Sequence, residues 1–414
     1  MTPEIKQRIT RLNNGEVPSG YKKTSVGIVP NEWTEHTLGD IFKFKNGLNK
    51  EKEAFGQGTP IVNYTDVWKK RGLRAKDIKG RVALSEKEIQ AYEAKAGDVF
   101  FTRTSETIDE IGYSSVLLED VEDAVFSGFV LRARPYNDLV CREYHQYCYS
   151  EPLMRQEIIK RSSMTTRALT SGPMLSQVDI NLPSQREQSK IAEILMKWDE
   201  AIELQEEFLH TLEIKRMAIL QSFFSKGKCS YLIKLSDYVK EVSNRNNIGC
   251  QNVKSVSNKN GFIDQSSQFS KQVASEDVSK YKVVTKDCVA YNPSRINVGS
   301  IAIYNEDTPG IVSPMYVVFN CVNMDPRFLL LLLETARGKY EVKSYLSGSV
   351  RDSLAFEDLK SIELAVPPKE KWGEIVDIFN IIDAQYSLYN DKLSFLKRQR
   401  KALQQYLLNG IVRV

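Results

Sequence analysis

One amphipathic pattern is written twice in this chain, 184 residues apart, and the repeat dictates two equivalent halves. Ile191, Leu195, Trp198, Ile202, Gln205, Leu209, Leu212, Arg216, Ile219 and Phe223 alternate steps of four and three. Adding 184 gives Ile375, Phe379, Ile382, Tyr386, Tyr389, Leu393, Leu396, Arg400, Leu403 and Leu407. Eight of the first ten rungs and nine of the second are apolar, and a sustained 3.5-residue period is what a helix needs to present a coiled-coil seam. Two long helices that share one pattern are expected to pack on each other. From Ile191 to Phe223 such a helix rises about 48 Å at roughly 1.5 Å per residue. Arg216 and Arg400 interrupt the two ladders at the same rung, where a polar residue either sets register or lifts its charge out to solvent over a buried stem.

Punctuation around the ladders divides the rest. Leu182-Pro183 and Val366-Pro367-Pro368 precede the two helices, with Ser184 as an N-cap and Glu187 completing a capping box, and Gly227 and Gly410 mark their ends. The segments are an N-terminal arm (1–30), a first head (31–183), a first spacer helix (184–227), a second head (228–367), a second spacer helix (368–410) and a C-terminal tail (411–414). The heads are cousins. Leu38-Gly39-Asp40 recurs as Leu235-Ser236-Asp237, Gly97 to Phe101 as Lys286 to Ala290, and Ala124 to Ser127 as Gly310 to Ser313. Loop lengths differ while the scaffold persists, the mark of two binding sites with different specificities.

Composition excludes several classes. No apolar run approaches the roughly 18 residues of a membrane span, the N-terminus has no signal-peptide core, and six cysteines without a C-x-x-C pair and three scattered histidines offer no metal site. The expectation is a cytoplasmic protein. The net charge is +4. It is −2 over the first head and +2 over residues 227–367, so nucleic-acid contact has to come from local patches or from a partner that neutralises phosphate.

Five polar or basic clusters are candidates for that contact. Asn292-Pro293-Ser294-Arg295 follows an apolar run in the second head. It resembles a methyltransferase Asn-Pro-Pro-aromatic loop but lacks the second proline, the ring and a glycine-rich cofactor loop, so catalysis is not expected there. Asn292, Ser294 and Arg295 suit base contact instead, because Asn pairs with adenine and Arg with guanine in the major groove. Their counterpart in the first head is Arg103, Thr104 and Ser105. A second matched pair precedes each spacer: Thr165, Thr166 and Arg167, and Ser347, Ser349 and Arg351, hydroxyls plus one Arg that suit phosphate and base contact. The plain alternative is that these are solvated turns whose Arg residues pair with carboxylates such as Glu106. Lys69, Lys70 and Arg71, beside Trp68, form the dense basic run and either grip phosphates or face solvent. The acidic stretch from Glu119 to Asp123 is expected to face away from DNA.

Ser19-Gly20-Tyr21-Lys22-Lys23-Thr24 through Gly27-Ile28-Val29-Pro30-Asn31-Glu32-Trp33 and Leu38-Gly39-Asp40 resemble the opening of specificity subunits of type I restriction-modification systems. Leu182-Pro183-Ser184-Gln185-Arg186-Glu187-Gln188 through Ile191-Ala192, with Asp199, Leu212, Lys215 and Arg216, is similar to that family's repeated spacer helix. In the second spacer Lys371-Trp372 stands where the first has Glu187-Gln188, while Asp383 and the heptad are kept. The resemblance implies two target recognition domains, each reading half of a split duplex sequence. It further implies two modification subunits docked on the spacer helices and restriction subunits driving translocation and cleavage.

It also implies a chain that does no chemistry and holds no cofactor: S-adenosylmethionine, ATP and Mg would belong to the partner subunits. The residues agree, since no G-x-x-x-x-G-K-[ST] loop occurs and none of the 14 prolines precedes an Asp that could open a metal-dependent nuclease triad. The expected fold is α/β (α+β), with two similar target recognition domains separated by an antiparallel coiled coil of two long helices through internal duplication. The expected function is sequence-specific binding of double-stranded DNA as a non-catalytic specificity subunit. The rival is a duplicated coiled-coil scaffold that binds proteins without reading DNA, favoured by the weak charge of both heads.

Overall fold

The computed structural model describes residues 2–225, 227–228, 231–258, 261–264, 277–346 and 353–414. These form two compact units, one of residues 1–205 with 392–414 and the other of residues 206–391.

In the first unit a five-stranded sheet runs in the order Phe42–Asn46, Val130–Pro135, Val99–Thr102, Ser114–Leu117, Gly72–Leu73. All neighbours are antiparallel except the last pair. Val99–Thr102 is the central strand and every residue of it is buried, which explains its unbroken apolar run: a strand covered on both faces needs no polar alternation. Val99 and Phe101 pack with Phe42, Tyr144, Tyr147 and Tyr149, and Phe100 packs with Leu117, Phe126 and Val130. The second unit repeats the order with four antiparallel strands, Val239–Glu241, Val317–Cys321, Val289–Tyr291 and Ile301–Ile303. The repeated motifs Leu38–Asp40 and Leu235–Asp237 are both single 3₁₀ turns with a buried leucine. The duplication is therefore structural as well as sequential.

Two long helices span Gln185–Phe223 and Trp372–Leu408. Within the first unit Ile191 and Leu195 share a core with Leu403 and Leu407. Within the second, Leu220, Met217 and Phe223 pack with Ile375, Phe379 and Ile382, and Phe208 meets Tyr389 edge to face at 4.7 Å. Partners with rising numbers on one helix have falling numbers on the other, so the segments run antiparallel in each unit. The seam arginines do not lift out to solvent; Arg400 is buried and Arg216 half-buried, each in a crossed ion pair. Arg400 Nε and Nη2 donate to the two Asp199 oxygens at 2.7 and 3.0 Å, and Tyr147 donates its hydroxyl to the same carboxylate at 3.0 Å. Arg216 Nε donates to Asp383 at 2.7 Å and its other nitrogens to Glu334 at 2.8 and 2.9 Å, while Arg327 also pairs with Asp383. Asp199 and Asp383 are themselves 184 residues apart.

Helix entry differs between the copies. The Ser184 hydroxyl accepts the Glu187 N–H at 3.4 Å, as a cap should. The Glu187 carboxylate, expected to complete the box, is instead taken by Arg413 at 2.6 and 3.0 Å and by the Trp33 indole at 3.3 Å. Gln188 hydrogen-bonds Leu139 O, Pro183 O and the Cys141 N–H. At the equivalent place in the second unit Trp372 stacks on Phe328 at 4.6 Å and donates to Pro367 O, so an apolar plug replaces an amide clamp. The N-terminal residues carry a helix, Pro3–Asn13, and a hairpin, Tyr21–Thr24 with Gly27–Pro30. Arg8 and Tyr21 each donate to a C-terminal carbonyl, Ile411 O and Gly410 O, at 2.6 Å. Gly410 ends the second helix at φ 64°, and a Cβ there would lie 2.5 Å from Pro30 Cδ.

Two expectations follow. Asp199→Ala leaves the Arg400 guanidinium, 7% exposed, without its carboxylate and should destabilise the first unit by about 3 kcal/mol in denaturant unfolding; pairing it with Arg400→Met should recover more than half of that loss. His145 is buried, sharing a 2.7 Å hydrogen bond with Tyr149, and burial pulls its pKa from 6.5 to about 3. The unfolded chain therefore binds a proton that the folded one refuses. Stability should fall by up to about 1.4 kcal/mol per pH unit as pH drops from 6.5 towards 3, and His145→Gln should flatten that slope.

Candidate nucleic-acid interface

The first head brings two of its predicted clusters together. Thr104–Ser105, Ala168–Leu169 and Ser163–Met164 form one small antiparallel sheet, with Ala168 opposite Ser105 and Leu169 opposite Thr104. The exposed hairpin tip of Thr165, Thr166 and Arg167, closed by Thr165 N–H to Arg167 O at 3.3 Å, thus stands beside Arg103 and Thr104. Arg103 leaves the buried central strand, its N–H bonded to Phe129 O and its carbonyl accepting from Thr170. The residues differ in what they have to offer. Ser105 is buried and its hydroxyl donates to Glu110 while accepting from the Thr107 N–H, so it serves the turn. Arg167 pairs with Glu106 at 3.0 Å, but both are about two-thirds exposed or more, and an ion pair in water is worth about 0–1 kcal/mol. A phosphate competes easily with such a pair.

Behind this sheet lies a brace that sequence reasoning missed. Arg155, on the helix Pro152–Lys160, donates to Gly112 O at 2.7 Å, Asp109 O at 3.1 Å and Ile111 O, and lies over the Tyr113 ring at 4.6 Å. Burial lowers its pKa. No local pattern announces a guanidinium that collects three carbonyls from a loop more than 40 residues away.

The dense basic run is divided by the fold. Lys69 ends the short helix Tyr64–Lys69, exposed beside the half-exposed Trp68. Lys70 pairs with Asp77 at 2.5 Å and Arg74 with Glu119 at 3.3 Å. Arg71 reaches towards Asp199 at 4.0 Å, and desolvation with the neighbouring Arg400 charge lowers its pKa. Among the described residues Lys69 makes no ion pair. Glu119 and Asp120, from the acidic stretch, accept the Ala75 and Ala96 N–H groups at 2.8 and 2.9 Å.

In the second head the loop follows the equivalent central strand, Val289–Tyr291. Asn292 is buried, its side-chain oxygen accepting the Ser294 N–H at 3.1 Å, and its N–H donates to Ser300 O. That oxygen shapes the turn, which leaves Ser294 and Arg295 as the exposed members. Ser347, Ser349 and Arg351 lie outside the described residues. The chain beyond them returns to this loop: Leu354 N–H donates to Pro293 O at 3.0 Å and Tyr291 donates to Leu354 O at 3.1 Å. The second unit also holds a cavity of about 1250 Å³ lined in part by Arg216, Arg327, Glu334 and Asp383, whose charges already answer one another. Among the described residues no group of three or more His, Cys, Asp or Glu side chains is gathered to hold a metal, and no helix is long and apolar enough to cross a membrane.

Residues 30–213 and 238–398 match the family described as type I restriction modification DNA specificity domain. The chain is 22% identical over 425 residues to a Methanocaldococcus jannaschii protein named as the MjaX type I restriction enzyme specificity subunit, covering 95% of this chain and 97% of that one. It is 26% identical over 213 residues to the MjaIX specificity subunit of the same organism, covering 49% and 46%. Its fold is similar to the crystal structure of a type I restriction-modification S subunit from M. genitalium, with a TM-score of 0.54, 15% identity, and coverage of 91% of this chain and 96% of that one.

The geometry separates surface from scaffold in a measurable way. Arg167→Ala should change unfolding free energy by under about 0.5 kcal/mol, whereas Arg155→Ala, which strips three carbonyls of their donor, should cost about 2 kcal/mol or more. Equal losses in urea titrations of the two variants would contradict the assignment.

Proposed function

The chain belongs to the type I restriction modification DNA specificity family, the DNA-recognition and non-catalytic component of such systems, and from that premise we propose that it reads a bipartite duplex sequence, one half-site per head. The observation that carries the reading is the repeated placement of an Arg-bearing polar turn at the end of the same central strand in both heads, Arg103 and Thr104 after Val99–Thr102, Ser294 and Arg295 after Val289–Tyr291. A shared sheet with different loops is how one scaffold reads two sequences. Arg and hydroxyl side chains supply both base-edge and phosphate contacts. Arg103, Thr104, Thr165, Thr166, Arg167 and Lys69 would act in the first head, Ser294 and Arg295 in the second. Ser105, Lys70, Arg71 and the Asn292 oxygen, each engaged by its own unit, would support rather than touch the duplex.

The long helices would form an antiparallel coiled coil that sets a fixed gap between half-sites and seats two modification subunits. Support for docking comes from the second helix, where Ile381, Leu388 and Phe395 recur every seven residues and remain 69%, 68% and 52% exposed. Solvent is a poor long-term neighbour for such a stripe. Adenine methylation and its S-adenosylmethionine would then belong to the modification subunits, and ATP- and Mg-dependent translocation and cleavage to restriction subunits. The near-neutral charge of the heads fits a complex in which partners neutralise much of the phosphate.

The deciding experiment is methylation mapping of a genome after co-expression of this chain with its modification subunit. A two-part adenine-methylated motif of fixed gap, present only with this chain, is the expected result. A stable complex that produces no motif would favour the protein-binding scaffold. Inserting four residues at equivalent places in both long helices should lengthen the gap by one or two base pairs and leave both half-sites unchanged; altered half-sites with an unchanged gap would count against the helices as spacer.

A further inference from the structure

One turn is closed by the same hydrogen bond in both heads and presents a side chain that neither turn chemistry nor burial requires. In the first head Ser127, Gly128, Phe129 and Val130 close a turn by Val130 N–H to Ser127 O at 3.1 Å. In the second, Ser313, Pro314, Met315 and Tyr316 close the same turn by Tyr316 N–H to Ser313 O at 3.0 Å. Each turn leads into the strand that flanks the central one, Val130–Pro135 and Val317–Cys321. The third position of such a turn ordinarily takes Gly, Asn, Asp or Ser. Here it is Phe129, 64% exposed, and Met315, 61% exposed, each followed by a buried residue.

The turn is also held by the residues around it and well placed. In the first head Gly128 N–H donates to Leu48 O at 2.7 Å, and a Cβ on Gly128 would push the Asn49 side chain aside, its Oδ1 lying 2.0 Å away. Phe129 O accepts the Arg103 N–H at 3.1 Å, which fixes the phenyl-bearing residue beside the Arg loop. In the second head Tyr291 lies opposite Val317, which brings Met315 to the same side of the central strand as the Asn292 to Arg295 loop. A single exposed apolar residue needs no explanation. Two at one structural position, each on a closed turn at the same end of the central strand as an Arg-bearing loop and differing in identity between heads, do.

Resting on the half-site reading above, we propose that Phe129 and Met315 are specificity-determining residues that pack on a thymine C5-methyl group in the major groove, one in each half-site. The thymine methyl is the apolar feature that base pairs display there, and a held phenyl or thioether chain gains contact with it at little ordering cost. An arginine beside it supplies the polar half of the readout. Phe and Met differ in shape and stiffness, so the two heads can prefer different steps with one scaffold.

The test uses the full chain in complex with its modification subunits and duplexes carrying the mapped motif, in which each thymine is replaced in turn by uracil. The unaltered complex should lose about fourfold in affinity at one position of each half-site, the worth of one buried methyl. Phe129→Ala should weaken binding about tenfold, abolish the uracil effect in the first half-site and leave that in the second; Met315→Ala should do the reverse. Phe129→Leu should retain most of the methyl effect. Both residues are exposed, so thermal unfolding should be unchanged. Specific binding that is indifferent to every uracil, or a uracil effect that survives both alanine variants, overturns this inference and leaves the half-site reading standing. Failure of the unaltered complex to bind any duplex specifically overturns both.

Discussion

The crossed pairs Arg400 with Asp199 and Arg216 with Asp383 govern how this chain can assemble. A guanidinium buried at a helix seam loses its hydration and must recover it from charged acceptors in fixed positions. Arg400 recovers it from both oxygens of Asp199, and Arg216 from Asp383 and both oxygens of Glu334. Sliding one helix segment along the other by a heptad would keep apolar rungs in the seam but bury an arginine without its carboxylate. Apolar packing therefore supplies the attraction, and the ion pairs select one register. The same groups tie each head to the helices of its own unit, through the Tyr147 hydroxyl on Asp199 in the first and Glu334 with Arg327 in the second.

On that frame the two heads keep their sheet order and vary what surrounds it. Central strands buried on both faces tolerate few changes, since a lost methylene in a close-packed core is felt directly. Loops at the strand ends carry no such constraint. The helix entrances vary as well: the Gln188 amide satisfies two carbonyls and an N–H, while Trp372 fills the matching space with stacked rings. Hydrogen-bond satisfaction and apolar filling are alternative ways to seat one helix end, which is why a departure from the sequence pattern there leaves the architecture intact.

Much of the fold was legible because it is locally periodic. The ladders, the prolines before them and the repeated Leu-x-Asp turns each declare themselves within a few residues. The candidate interface was legible only in part. The loops after the central strands are polar and equivalent in position, yet the candidate residues divide by burial: Ser105 and Asn292 turn inward to hydrogen-bond their own turns, while Arg167 and Arg295 face outward. The run from Lys69 to Arg71 looked like one patch. Asp77 and Asp199, brought in by the fold, claim two of its three charges. Arg155 and the turn residues Phe129 and Met315 carried no motif at all.

The chain's own residues determined the period of its helices and its strands, because each depends on neighbours within one or two turns, and the duplication, because the same pattern is written twice. Tertiary structure decided which charges meet. Arg216 lies 167 residues from Asp383 and Arg400 lies 201 from Asp199, and the hairpin tip at Thr165 stands beside Thr104 only because Ala168 and Leu169 pair with that strand. Whether a hydroxyl is a ligand or a strut, and whether an arginine grips phosphate or a carboxylate, depends on groups brought near through space, which no local pattern encodes.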